Sequence, residues 1–177
     1  ASTDSARVAL MGELAIHLKD QGEIAEARQL LGKARKKARS LSSVHLIERL
    51  ALDFADFYLS TDRPDSAIHV LERHLEQYPQ GERTVNVLNL LATAYQFMAN
   101  YDKSISLYQQ AKTLVDSTDE PRTYNTININ MAGIFKNQGN FGSALKYYQR
   151  GLEFAEADQD SITLATMLNN LGDTYNA

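Results

Sequence analysis

The sequence contains no cysteine and only three prolines in 177 residues. Without thiols there is no disulfide, no thiolate nucleophile and no cysteine zinc site, and the lack of them leaves oxidising and reducing compartments equally open. An excess of one charge is also missing. Eighteen Lys and Arg against 22 Asp and Glu leave a net charge of −4, which gives no overall attraction for nucleic acid or an anionic membrane. No stretch approaches the roughly 18 consecutive apolar residues of a membrane span, and Ala1-Ser-Thr-Asp-Ser-Ala-Arg7 has none of the apolar run of a signal peptide, so the chain reads as soluble, in cytoplasm or periplasm. Glycine-rich phosphate loops and the G-x-S-x-G nucleophile turn are absent. The chain reads as a non-enzyme that needs no cofactor.

With 44% hydrophobic and 23% charged residues the chain is too balanced to be disordered. Its apolar residues follow helical spacing. Val85, Leu88, Leu91, Ala92 and Tyr95 fall three and four apart, which places them on one face that must be buried. Breaks recur at Gln21-Gly22, Asp62-Arg63-Pro64, Tyr78-Pro79-Gln80-Gly81, Ala99-Asn100, Asp119-Glu120-Pro121 and Gly139-Asn140. Gly or Asn just past a helix suits a left-handed C-cap, and Pro suits the first turn of the next helix. Period-2 alternation and a Pro/Ser/Gly linker are both missing. The expectation is one all-helical domain over 1–177.

Self-comparison reveals a period. Leu18, Tyr58, Tyr95, Phe135 and Tyr175 are separated by 40, 37, 40 and 40 residues. Three residues before each stands a small residue, Ala15, Ala55, Ala92, Ala132 or Gly172, and four before stands a large apolar one, Leu14, Phe54, Leu91, Met131 or Leu171. Nine residues after the anchor come Ala27, Ala67, Ser104 and Ala144, followed four later by Leu31, Leu71, Tyr108 and Tyr148. Small residues let helix backbones approach and large ones fill the space beside them. The pattern predicts nine helices, with Ala15 against Ala27 and Ala132 against Ala144 at close crossings.

Leu171-Gly-Asp-Thr-Tyr175 resembles the L-G-x-x-Y element of the tetratricopeptide (TPR) repeat, and Ala144-Leu-Lys-Tyr-Tyr148 resembles its A-x-x-x-F element. The resemblance implies an all-α solenoid of four stacked antiparallel hairpins and one terminal helix, with repeats at about 5–41, 42–80, 81–117, 121–157 and a partial 159–177. Two departures lie at the front. Leu18 replaces the aromatic anchor, and His74 stands where Ala34, Ala111 and Gly151 are small, which is expected to loosen the second hairpin. The long repeat is similar to those of kinesin light chains and spindle-orientation adaptors. Asp4 to Ala15 and Met167-Leu-Asn-Asn-Leu-Gly172 resemble TPR input regions of bacterial sensor kinases and regulators.

The chemistry-bearing residues have ordinary readings. His69 and His74 are five apart, about 140° from a shared face, and cannot act as an i, i+4 metal pair. Asp53 and Asp56 could form a carboxylate pair, but Arg49 one turn before Asp53 offers an i, i+4 ion pair. The run Lys33-Ala-Arg-Lys-Lys-Ala-Arg39 complements the negative end of its helix, the alternative being a phosphate or nucleic-acid patch. The repeated aromatics read as core.

The resemblance implies that the first helices of successive hairpins line a concave groove that takes a protein or extended peptide. Its slots hold Glu13, Ile16, Lys19, Arg49, Asp53 and Asp56 in the front half. In the back half they hold Asn86, Asn89, Thr93, Gln96, Thr126, Asn130, Asn137, Asn169, Asn170 and Asp173. Other TPR proteins use an asparagine ladder to pair with a peptide backbone, and Asn130 and Asn170 match its slot. The alternative is that these amides cap carbonyls or solvate the face. The carboxylate clamp of TPR cochaperones is not matched, because Gly12, Ile16, Asp53, Asn86 and Leu90 include no basic residue. The expected role is the recognition or sensor segment of a larger signalling protein, with a self-associating spacer as the alternative. The apolar face of Leu168, Leu171 and Tyr175 implies a covering helix, from a continuing chain or from a second molecule.

Overall fold

The computed structural model describes residues 3–81, 83–115 and 120–176. Among these the chain forms nine helices and no strand: α1 (Thr3–Asp20), α2 (Ile24–Ser40), α3 (Val44–Ser60), α4 (Pro64–Gln77), α5 (Thr84–Phe97), α6 (Tyr101–Leu114), α7 (Pro121–Asn137), α8 (Phe141–Ala157) and α9 (Ser161–Tyr175). They make two compact units, Ala1–Met98 with α1 to α5 and Ala99–Ala177 with α6 to α9.

Helix boundaries follow from local chemistry. Pro64 and Pro121 open α4 and α7, where a missing N–H costs no helical hydrogen bond. Asn100 and Asn140 are N-caps whose side chains accept from the N–H of Lys103 at 3.3 Å and Ser143 at 3.2 Å. The left-handed residue expected at Asn100 is instead Ala99, with φ of 56°. An Asn oxygen can satisfy a free helix N–H, which decides for the cap.

The turns also explain why the anchors align. The carbonyls of Leu18, Tyr58 and Phe135 accept from the N–H five residues on, in Glu23 at 2.9 Å, Arg63 at 2.8 Å and Asn140 at 2.8 Å. These are Schellman closures, and each needs a left-handed residue four after the anchor. Gly22, Asp62 and Gly139 supply it with φ of 85°, 56° and 73°. Ala99 holds the same place after Tyr95 with a Cβ that disfavours it. Ala99→Gly is therefore expected to stabilise by about 0.5–1 kcal/mol and Gly139→Ala to destabilise by about 1 kcal/mol. Urea midpoints of the two variants check this, and shifts of the same sign would contradict it.

In the first unit α1 packs on α2, α3 on α4 and α4 on α5, while the first helices α1, α3 and α5 also touch in sequence. Ala15 and Ala27 are fully buried, beside Leu31, Leu50 and Phe54. Full burial of a leucine such as Leu31 contributes about 1.5–3 kcal/mol, which offsets the ordering of its helix. In the second unit α8 packs on both α7 and α9, and α6 packs on α7. Ala132 and Ala144 are fully buried with Tyr148 and Met167 around them. The same large slot is buried at Phe54, Leu91 and Met131 but half exposed at Leu14 on α1. In the second hairpin His74 is buried, tilted on the Tyr78 ring at 5.1 Å, with Nε2 3.8 Å from Oε1 of buried Glu48.

Candidate partner-binding site

Within the first unit, α3 faces α1 with alternating charge. Arg49 Nη2 donates to Glu13 Oε1 at 3.0 Å, and Lys19 Nζ donates to Asp56 Oδ2 at 2.9 Å. The expected i, i+4 pair of Arg49 with Asp53 is thus replaced by a pair across helices. Side-by-side packing of α1 and α3 brings Glu13 within reach, and Asp53 is drawn elsewhere. Its carboxylate lies against Gly12, where a Cβ would meet Oδ2 at 2.8 Å. Gly12 therefore seats the carboxylate between the helices.

Asp53 Oδ2 is buried with no hydrogen-bond partner, and so is Arg83 Nε just before α5. Burial pushes the Asp53 carboxyl above its usual range, opposed by the charge of Arg49 and Arg83 and reinforced by Asp56 and Glu13. The remaining slots of this unit lie on α5. Asn86 is exposed, whereas Asn89 and Thr93 are half-buried and joined by a bond from Thr93 Oγ1 to the Asn89 carbonyl at 3.1 Å.

In the second unit Asn130 and Asn170 are half-buried on α7 and α9, and Asn137 and Asn169 are exposed. Lys136 on α7 reaches Asp173 on α9 at 3.4 Å. This pair occupies the same repeat slots as Lys19 and Asp56, one after one anchor and two before the next. Exposed pairs of this kind contribute only about 0.2–1 kcal/mol, so their consequence is orientation of the face.

Two polar groupings escaped the sequence reading. Lys112 Nζ donates to buried Asn128 Oδ1 at 2.7 Å and lies 4.5 Å from the Tyr124 ring centroid and 5.8 Å from that of Tyr147. Asn128 is thus a core amide rather than a groove residue. Glu48, only 1% exposed, shares its site with His74. Its single signal is its place between Leu46 and Leu50 on a buried stripe, a position that spacing alone cannot distinguish from a wet edge. Among the described residues no three His, Cys, Asp or Glu side chains are grouped to hold a metal ion. None of the described helices is long and apolar enough to cross a membrane.

This helical repeat with small residues at its crossings defines a TPR-type α-solenoid, and family models described as tetratricopeptide repeat match residues 46–117 and 126–158. The chain belongs to the tetratricopeptide-repeat family. Among solved structures it is similar to BtubC (BKLC) from P. vanneervenii, with 18% identity and a TM-score of 0.86 over 98% of this chain and 73% of that one. It is also similar to a signal transduction ATPase with numerous domains and a tetratricopeptide repeat sensor from Pyrococcus horikoshii, at 15% identity and a TM-score of 0.83, covering 99% of this chain and 28% of that one. A third likeness is to the nearly identical TPR-like repeats described for a Podosopora anserina kinesin light chain, at 18% identity and a TM-score of 0.75, covering 99% and 88%. No curated protein matches the sequence. At these identities the likenesses show the fold. The repeats make the chain a protein-interaction module.

Proposed function

We propose that the chain binds an extended segment of a partner protein along its first helices and serves as the recognition segment of a larger signalling protein. The observation that carries this reading is that Asp53 Oδ2 on α3 and Arg83 Nε just before α5 are each buried without a hydrogen-bond partner. Leaving a buried polar atom without a hydrogen bond costs about 1–3 kcal/mol, so a partner N–H that donates to Asp53 Oδ2, or a partner carbonyl that accepts from Arg83 Nε, gains what the free protein forgoes. In the second unit Asn130, Asn169 and Asn170 offer amides that donate and accept at once, the chemistry that suits a main chain of any sequence. The TPR sensor of the Pyrococcus horikoshii protein supports the signalling role.

The test begins with a partner captured by the chain and mapped to a peptide. Asn130→Ala with Asn170→Ala is expected to weaken that peptide's binding about tenfold or more, since two lost bonds of about 0.5–1.5 kcal/mol each suffice. Unchanged affinity would leave the amides as a solvated surface.

Asp53→Asn has two opposed outcomes. A carboxyl raised above its ordinary pKa favours the folded state only below the unfolded value near 3.8, and that advantage is lost as pH rises through the folded value. At pH 7 the amide variant is therefore expected to melt higher than the parent while binding the peptide more weakly, and the stability difference should vanish below the unfolded value. A variant that melts lower at pH 7 would show that Asp53 is structural.

A second reading, self-association, is favoured by α9, where Ile162, Leu168 and Tyr175 are 82%, 56% and 72% exposed. Light scattering across a concentration series decides it, a strict monomer removing the reading.

A further inference from the structure

Five polar side chains of the first unit that the partner-binding face does not use converge on one cleft. Arg35 and Arg39 stand one turn apart on α2, Arg73 and Gln77 one turn apart on α4, and His74 lies beside them. The inner wall is apolar, formed by Ile47, Ala51 and Val70, and the enclosed space is about 20 Å³, room for about one water, so a larger group can meet the arginines only at the rim. Among the described residues no acidic side chain lines the cleft. Among them too, no carboxylate is in ion-pair contact with these three arginines, whereas Lys19, Lys37 and Arg49 of the same unit all have carboxylate partners.

The arrangement is held in place. Arg35 is half-buried with its guanidinium carbon 5.5 Å from the Phe54 ring centroid, so its planar head cannot swing out to water without losing that contact. Burial, and then the like charges of Arg39 and Arg73, depress its pKa. The exposed guanidinium groups of Arg39 and Arg73 repel that of half-buried Arg35, and an anion seated among them reverses the sign of each interaction. Guanidinium forks match the oxygens of phosphate and carboxylate bidentately. Gln77 adds an amide donor at the mouth. Buried Glu48 is not among the lining residues; its Oε1, without a hydrogen-bond partner, lies 3.8 Å from His74 Nε2.

We propose that the rim of this cleft is an anion-binding site for a small phosphate-class ligand, inorganic phosphate or the phosphoryl head of a small phosphomonoester, held by Arg35, Arg39 and Arg73. Its arginines stand on α2 and α4, whereas the polar partner-binding residues stand on the first helices α1, α3, α5, α7 and α9, so the two sites are testable separately.

Isothermal titration of the chain with inorganic phosphate, against sodium chloride at matched ionic strength, is the direct experiment. The matched salt matters because phosphate also stabilises proteins by exclusion from their surface. Saturable phosphate binding, weakened about tenfold or more in Arg39→Gln with Arg73→Gln, is the expected result. Both residues are exposed, so the double variant keeps its fold, which a parent-like helical spectrum and melting point in chloride verify. A phenyl phosphate titration separates the sources: tighter binding than inorganic phosphate assigns a phosphomonoester whose organic group adds contacts beside the rim, and equal binding assigns the free ion. Absence of saturable heat with either probe overturns the proposal, as does undiminished binding by the double variant. Loss of phosphate binding in Asn130→Ala with Asn170→Ala would overturn it too, because the ligand would then lie on the partner-binding face.

Discussion

Ala132→Leu is expected to destabilise the chain by about 1–3 kcal/mol, among the largest effects of any single substitution proposed for it. Ala132 is fully buried on α7 within the same cluster as fully buried Ala144 on α8. Around it stand Tyr148 and Met167, with Ile129, Phe135 and Tyr147 packed against them. Three added carbon atoms have no empty space to enter, so either α7 and α8 separate or side chains leave their rotamer wells. Separation also loosens the next junction, because α8 is the helix on which α9 packs. The denaturant midpoint should fall while the slope of the transition stays constant. An unchanged midpoint would mean that the small residue three before each anchor does not mark a helix crossing.

The size code was legible in the sequence because it is local and repeated. Ala15, Ala55, Ala92 and Ala132 are all fully buried, and the small residues nine after the anchors, Ala27, Ala67, Ser104 and Ala144, are too. Helix ends were legible where a residue has one strong backbone preference, as at Pro64, Pro121, Gly22 and Gly139. Asn100 was ambiguous because Asn serves both as a left-handed cap and as an N-cap.

The polar side chains were harder to read, for a physical reason. Arg49 has two carboxylates within reach, one four residues on and one 36 residues back, and only packing decides for Glu13. Helical spacing gives the direction of a side chain but not the element that meets it. Arg35 and Arg39 likewise read as part of one basic run, and only the fold brings Arg73 of α4 to the same cleft. Burial without a partner, as at Asp53, leaves no trace in a single sequence. What distinguishes Asp53 from a solvated acid is Gly12, 41 residues earlier, and nothing in the local pattern links the two.

Gly81→Ala is expected to cost about 1–3 kcal/mol as well, through a contact of this non-local kind. A Cβ on Gly81 would fall onto Oε1 of Glu48. The end of a glutamate side chain is ordinarily flexible, but here it is 1% exposed and enclosed with His74, so it has nowhere to turn except into the core. Moving the loop instead is also resisted. The Gly81 carbonyl accepts from both the N–H of Thr84 at 3.1 Å and its Oγ1 at 2.8 Å, tying the loop to the first turn of α5. Displacing the carboxylate would strip the His74 imidazole of its nearest opposite charge, and His74 is already held below its ordinary pKa, by burial foremost and against the pull of Glu48. A folded-state pKa below the unfolded one means that stability is full above the unfolded value near 6.5 and declines as pH falls through it. The Gly81→Ala variant should therefore lose more stability than the parent between neutral and mildly acid pH. A double-mutant cycle isolates the cause, because Glu48→Ala clears the space that the new methyl group needs. In that background Gly81→Ala should be nearly neutral. If it costs as much there as in the parent, the glycine is required by its own backbone and the overlap with Glu48 is not the reason.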